Sequence, residues 1–480
     1  MGLICAANRS PKDVTRYTPL FAKPGTFILQ LDNLIETGLN GIYSTTLHAT
    51  FYASSAEHPP AKQANTIIPL STLSNTTGND ASVPPSFSIN VTLPVNAVEV
   101  YAELYPSGNG NEEFWYLNVA DEFLGDLPAG NLGQGPFREM RLLVDGQVAG
   151  VAFPYPVVFT GGVLPPAWRP ITSYGALDLP TYFLDLTPFV PLLTDGQPHN
   201  FTLDVVSAEA DHTILQNWFV SGLLQVVTDS SPNRTTGNIT SYSADLFAQT
   251  NTTGSVAANG DISITVKATR EIHITADIVS GSGKKNHVVL SQSLEYINQQ
   301  DYLDNTLVEN VFQSSSGSVL STHNNVPAVV DTFSYPFTLN FTSLNDQGTF
   351  FSALFDHSYD RVLLPSPFIL GSTIKERQVA GGFFLEASTG NTGNGTSNNT
   401  QVFHNLKASG AHCNLPSRFS YVDTAGNTFN RRVDAAFNNI TLDVQSGSLS
   451  QAQKSHTSST KNADTFTDAR LPPGRGKLVH

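Results

Sequence analysis

Apolar residues recur at every second position in short runs along most of this chain, the period of a strand with one face buried. Residues 26–31 read as a first strand and residues 45–53 as a second, with Leu47, Ala49 and Phe51 on one face. Residues 54–85 are polar and rich in Pro, Ser and Asn, and read as a loop. Strands follow at 86–93 and 97–104, where Val98, Val100 and Ala102 alternate with other residues as in a half-buried sheet. Residues 113–119 read as a strand, 121–134 as a Gly/Pro loop, and 136–144 as a strand. The return strand, 147–153, is reached through an Asp145-Gly146 hairpin turn. Strands at 182–186, 201–208 (after a second Asp-Gly turn at Asp195-Gly196) and 218–228 complete a first unit.

Residues 230–260 are dominated by Ser, Thr, Asn and Gly and read as a linker. Alternation resumes at 261–279, with Ile262, Ile264, Val266, Ile272 and Ile274 on one face. Shorter strands are expected at 287–296, 328–340, 349–355, 379–386, 418–422 and 434–444, interrupted by a polar loop at 388–400. Residues 1–24 look irregular, and 446–480 too polar to fold. No long run carries the helical period. The predicted architecture is all-β: two antiparallel, jelly-roll-like sandwiches in tandem over 25–229 and 261–445, followed by a disordered tail.

Charge and composition narrow the function. A net charge of −15 without clustered Lys or Arg excludes general nucleic-acid binding. No run approaches 18 apolar residues, so no membrane span is expected. Cys5 and Cys413 are the only cysteines, and the histidines are scattered with no His-Glu-X-X-His, so neither a metal nor a cofactor is expected. Eleven Asn-X-Ser/Thr sequons, from Asn8 to Asn439, lean toward the secretory pathway. The first ten residues offer only a five-residue apolar core, Leu3 to Ala7, too short for a signal sequence. An upstream segment is therefore expected to be missing.

Residues 111–170 concentrate the chemistry: carboxylates, aromatics, an Arg-Glu pair and several Gly/Pro turns crowd together there. The run GPFREMRLLVDGQVAGVAFPYPVVFTGGVLPPAWRPI, with GALDLPTY, LTPFVPLL and DGQPH after it, closely resembles the acidic peptide-N-glycanases of plants and fungi, the peptide-N4-(N-acetyl-β-glucosaminyl)asparagine amidase A type. The resemblance is dense over 25–229 and thinner over 261–445. It implies hydrolysis of the amide joining the first GlcNAc of an N-glycan to asparagine, giving aspartate and a glycosylamine. It further implies N-glycosylated peptides or glycoproteins as partners, a metal-independent reaction, a secretory or vacuolar location, and a two-jelly-roll plan. A monomer is expected. Two departures stand out. The family's sequence before the segment matching Gly25 is expected to be missing, and Ala120-Asp121 stands where the resemblance implies Pro-Asn.

Amide hydrolysis needs a base for water, an oxyanion stabiliser and a proton for the leaving amine. Glu139, beside Arg138 and alternating with Met140 and Leu142, is the first candidate and should line a solvent or site face; otherwise it is a surface acid paired with Arg138 or Arg141. Glu122, Asp121 and Glu113 come next, since neighbouring carboxylates push one proton affinity up; otherwise they are solvated loop acids. Trp115, Tyr116 and Trp168 are candidates for stacking on GlcNAc, and each fits a core position as well. Arg138 or Arg169 would polarise the amide carbonyl, or else brace a loop. A non-catalytic glycan-binding sandwich is the alternative from another class. A glycoside hydrolase would also use two carboxylates but would leave GlcNAc on asparagine.

Overall fold

The computed structural model describes residues 13–29, 45–56, 60–71, 80–367, 371–386, 391–407, 428–448 and 450, apart from positions 160, 170 and 438. The antiparallel all-β class stands. Nine strands make the first unit: β1 (Thr66–Leu70), β2 (Ala81–Val83), β3 (Phe87–Val91), β4 (Ala97–Asn109), β5 (Glu139–Val144), β6 (Gln147–Ala152), β7 (Tyr182–Asp185), β8 (His199–Val206) and β9 (Asn217–Thr228). They form two sheets, one in the order β1-β9-β4-β7 with β2 also on β9, the other in the order β3-β8-β5-β6. The Asp145-Gly146 turn closes the β5–β6 hairpin with both residues at positive φ, 48° and 82°, as a two-residue hairpin turn demands.

The second region is one sheet. Its strands are β10 (Thr236–Ala244), β11 (Gln249–Val256), β12 (Ile262–Val279), β13 (Lys285–Leu303), β14 (Val308–His323), β15 (Val326–Ser343), β16 (Phe350–Leu364), β17 (Gly371–Leu385), β18 (Thr392–Lys407), β19 (Thr428–Ala436) and β20 (Asn439–Ser446). From β12 to β20 each strand pairs with the next, while β10 and β11 lie end to end along β12. Alternation is strict: Ile262, Ile264, Val266 and Ala268 are buried, while Ser263 and Thr269 face out. The buried face lies against the first unit, so both regions share one apolar core that runs from Met140, Leu142 and Trp218 to Ile274, Leu290 and Phe337.

Side-chain amides on that face satisfy backbone groups of loops and of edge strand β6 in the first unit. Asn298 donates to the Tyr116 carbonyl at 3.0 Å and Gln300 to that of Asn118 at 2.9 Å. Gln292 accepts from the Val151 N–H at 3.1 Å, and Gln378 from that of Tyr174 at 3.0 Å. Buried polar groups need such partners, so these amides fix how the unit sits on the sheet.

Several expected elements differ. Residues 26–29 and 45–53 form no strand; Leu47 and Phe51 are 62% and 76% exposed, so their alternation has no core to face. Residues 30–31, the strand at 418–422, the two cysteines, residues 1–12 and most of the expected tail lie outside the described residues. The polar stretch 54–85 supplies β1 and β2. Residues 113–119 form no strand: a helical turn, Gly110–Glu112, precedes them and a second, Trp115–Leu117, lies within them. Adjacent Trp115 and Tyr116 are both buried, which a strand with one covered face does not allow. The expected linker carries β10 and β11, edge strands with no buried residue, so nothing in their composition signals a core. The 388–400 loop opens β18. The strand at 434–444 is broken by Phe437 at positive φ into β19 and β20. Among the described residues no helix is long and apolar enough to cross a membrane.

Candidate active site

The loop after Leu117 is pinned at its base. The Val119 N–H donates to the Leu132 carbonyl at 2.7 Å, and the Gly135 N–H to that of Val119 at 2.9 Å. One helical turn, Asp121–Leu124, presents Asp121 and Glu122 to solvent. The Asp121 carboxylate accepts the Gln134 N–H at 2.7 Å, and the Asp121 N–H donates to Glu209 Oε1 at 3.3 Å. Glycine permits both approaches. A Cβ on Gly133 would collide with the Asp121 carboxylate, and one on Gly135, at φ 59°, would lie 2.8 Å from Glu209 Oε1.

Glu209 comes from the turn between β8 and β9. That turn is closed by the His212 N–H to the Glu209 carbonyl at 2.9 Å and by the Glu209 N–H to Ser207 Oγ at 3.2 Å. His212 holds φ 57° there. Glu209 is half-buried, and burial raises its proton affinity above the ordinary carboxylate range. The Asp121 N–H and Arg138 oppose that shift, while the negative charges of Asp121 and Glu122 add to it. Thr213 Oγ1 lies 3.1 Å from Gln134 Oε1 and lines a cleft of about 170 Å³ with Pro84, Ser86, Asp204 and His212.

The floor is laid by β11 and the residues before it. Phe247 stacks on His212 at 3.6 Å and carries the Arg141 guanidinium 4.4 Å from its ring centre. Arg141 forks onto Asp204 at 2.9 and 2.6 Å and donates to the Leu246 carbonyl at 2.6 Å. Phe123 lies against the backbone at Gly254. Residues that read as linker thus support the acidic loop. The site offers two exposed carboxylates beside a third that holds its proton more tightly, next to an open cleft. That is the division of labour a general acid and a general base require.

The sequence candidates separate sharply. Asp121 and Glu122 stand in this group. Glu113 is half-buried beside Tyr116. Glu139 does not line an open face: it is fully buried, with Oε2 3.5 Å from Nε of Arg270 on β12. Burial raises its carboxyl to about 7, while Arg270 and Arg141 pull it down. The face it points to is solvent-free because the long sheet covers it. Arg138 is also enclosed. Its guanidinium forks onto Glu112 at 2.6 Å twice and donates to the Gln134, Gly135 and Phe137 carbonyls. It braces the loop and has no face for substrate.

Trp115, Tyr116 and Trp168 are core side chains, each no more than 3% exposed, and present no platform to a sugar. Trp168 donates to the Gly162 carbonyl at 2.8 Å and packs on Phe355; Tyr116 donates to that of Val157 at 3.0 Å. Arg169 is exposed at the end of the Pro165–Trp168 turn. Two residues escaped the sequence reading. Glu209 sits in Ser207-Ala-Glu-Ala-Asp-His212, where three ionisable groups crowd one inter-strand turn, a signal that was available. Glu112 has no such signal, because nothing local separates it from Glu113.

Residues 6–245 match the family model described as peptide N-acetyl-β-D-glucosaminyl asparaginase amidase A, and residues 263–337 match that of its C-terminal domain. The chain is 34% identical over 252 residues to the peptide-N4-(N-acetyl-β-glucosaminyl)asparagine amidase A of Prunus dulcis. The match covers 48% of this chain and 43% of that protein, so the chain spans less than half the length of its curated relative. No solved structure matches the chain.

Proposed function

Because the chain belongs to the peptide N-acetyl-β-D-glucosaminyl asparaginase amidase A family, we propose that it hydrolyses the amide between the first GlcNAc of an N-glycan and its asparagine. The observation that carries this reading is the contact between Asp121 and Glu209, the latter on the turn whose His212 lines the cleft. An ionised carboxylate, Asp121 or Glu122, takes a proton from water as its oxygen attacks the amide carbon. Glu209, which holds its proton longer, delivers it to the departing nitrogen. The carbon–nitrogen bond breaks, the side chain becomes aspartate, and the glycan leaves as a glycosylamine. Carboxylates in these roles supply about 10²–10⁴-fold each. Arg169 follows the Pro165–Trp168 turn that packs on β18 and is not brought to these carboxylates, so it is not assigned the carbonyl.

The reaction belongs in the secretory pathway, where its substrates are made. In support, Asn90, Asn200, Asn233, Asn238, Asn251, Asn340, Asn394 and Asn439 of the sequons are exposed or half-exposed, whereas Asn118 and Asn298, outside sequons, are buried. A glycan-binding module without catalysis would want exposed aromatic platforms, and the burial of all three candidates weighs against it.

The test is mass spectrometry of a defined N-glycopeptide incubated with the folded chain at mildly acidic pH. Released glycan together with an aspartyl peptide is the expected result. A peptide that keeps one GlcNAc would make the protein a glycosidase, and an unchanged peptide would leave it a binding module.

A further inference from the structure

The three sheets differ in how their edges are protected. The edge strands β6 and β7 are covered: five of the six residues of β6 and all four of β7 are buried. The paired short strands β1 and β2, which share one side of β9, keep two of five and two of three residues buried. Among the described residues the remaining edges are open. On β10, β11 and β20 no residue is buried, and on β3 only Val91 is. An uncovered edge strand presents unpaired N–H and C=O groups and templates strand addition by another chain. Bulges at Thr240 and Thr441 interrupt β10 and β20, but β10 and β11 contain no Lys, Arg or Pro, and neither do β3 and β20.

Each of those four open edge strands carries a sequon: Asn90-Val-Thr on β3, Asn238-Ile-Thr on β10, Asn251-Thr-Thr on β11 and Asn439-Ile-Thr on β20. The four covered edge strands carry none, while the interior strands β8, β15 and β18 carry the sequons of Asn200, Asn340, Asn394 and Asn398. All four asparagines are exposed, and so are Thr92, Thr240, Thr253 and Thr441 of their sequons. A glycan is bulky and strongly hydrated. Attached to an edge strand, it blocks the approach of a second strand along the whole ladder.

We propose that Asn90, Asn238, Asn251 and Asn439 are N-glycan acceptors, and that their glycans cap the open sheet edges against strand addition. The assignment rests on the secretory location argued under the proposed function, while occupancy in the host below is read without any amidase assay.

The chain is directed into the secretory pathway of a yeast host and mapped by peptide mass spectrometry. Occupancy is read as glycan mass, or as the aspartate that glycan removal leaves. All four sites should be occupied, and four unmodified asparagines would overturn the assignment. The folded glycoprotein is then trimmed with an endoglycosidase to one GlcNAc per site. Loss of monomer on size exclusion, with circular dichroism unchanged, is expected, and a trimmed protein that stays monomeric would overturn the capping role. An Asn340→Gln variant removes an exposed sequon on β15, an interior strand, and should leave the untrimmed monomer unchanged. Aggregation of that variant equal to that of the trimmed protein would mean general solubilisation and not edge capping.

Discussion

Asp121 and Glu209 are 88 residues apart in the chain and in contact in the fold, the backbone N–H of one meeting the carboxylate of the other at 3.3 Å. The contact joins the loop before β5 to the turn before β9. Glu209→Gln keeps the shape and removes the proton that the leaving nitrogen needs. Its kcat should fall by about 10²–10⁴-fold with the melting temperature unchanged. Gly135→Ala should lower kcat as well, because a Cβ there displaces Glu209. If Glu209→Gln keeps full activity on a glycopeptide, the acid lies elsewhere.

Glu112 is the hub of a buried network. It accepts both arms of Arg138, the Trp218 indole N–H at 2.7 Å and the Leu215 N–H at 2.8 Å. Removing one partner of a fully buried pair strands the other, at about 3–5 kcal/mol. Glu112→Ala should therefore lose stability on that scale in urea titration, while Glu113→Ala, one residue on, should change it by less than about 1 kcal/mol.

The Glu139–Arg270 pair joins the first unit to the long sheet, and its two halves should respond differently to deletion. An arginine stays charged, so Glu139→Gln leaves a buried cation at any pH, a cost of about 3–5 kcal/mol. Arg270→Met leaves a carboxyl already raised to about 7, which can take a proton. Denaturant midpoints should show a milder loss for Arg270→Met at pH 5 than at pH 8, and no such pH dependence for Glu139→Gln.

Acid should stabilise the whole fold. His199 lies between Asp145 at 2.6 Å and Asp195 at 3.1 Å, and His323 lies 2.8 Å from buried Asp185. Burial alone would lower both histidines; their carboxylates outweigh it and raise them above 6.5. Their contribution is complete below pH 6.5 and lost as pH rises through the folded values. Glu139, raised from 4.5 to about 7, adds a loss over that interval. Asp185 runs the other way: burial would raise it, but His323, Ser321 and Thr187 hold it below 3.8, so its contribution fades in stronger acid. Thermal melts should peak between pH 3.8 and 6.5, and His199→Gln with His323→Gln should flatten the decline toward pH 8. A melting temperature that rises from pH 5 to pH 8 would contradict these pairings.

The sequence by itself determined the local choices. Alternation at Ile262, Ile264 and Val266 sets strands because period two places every second side chain on one face. Asp145-Gly146 sets a hairpin because few residue pairs accept positive φ twice. Asp121 and Glu122 were legible as acids on a Gly-rich loop. Only the tertiary structure decided which faces met. Leu47 and Phe51 alternate as well as Ile262 does, yet stay exposed: Phe21 meets Phe51 edge-on, and among the described residues no sheet covers them. Glu139 points away from Met140 and Leu142, as its position requires, but the long sheet closes over it. β10 and β11 look like linker because edge strands are held by backbone hydrogen bonds to β12, which leave no mark on composition. Glu209 joins Asp121 for the same reason: contacts between distant residues depend on how sheets pack, and side-chain periodicity encodes one face at a time.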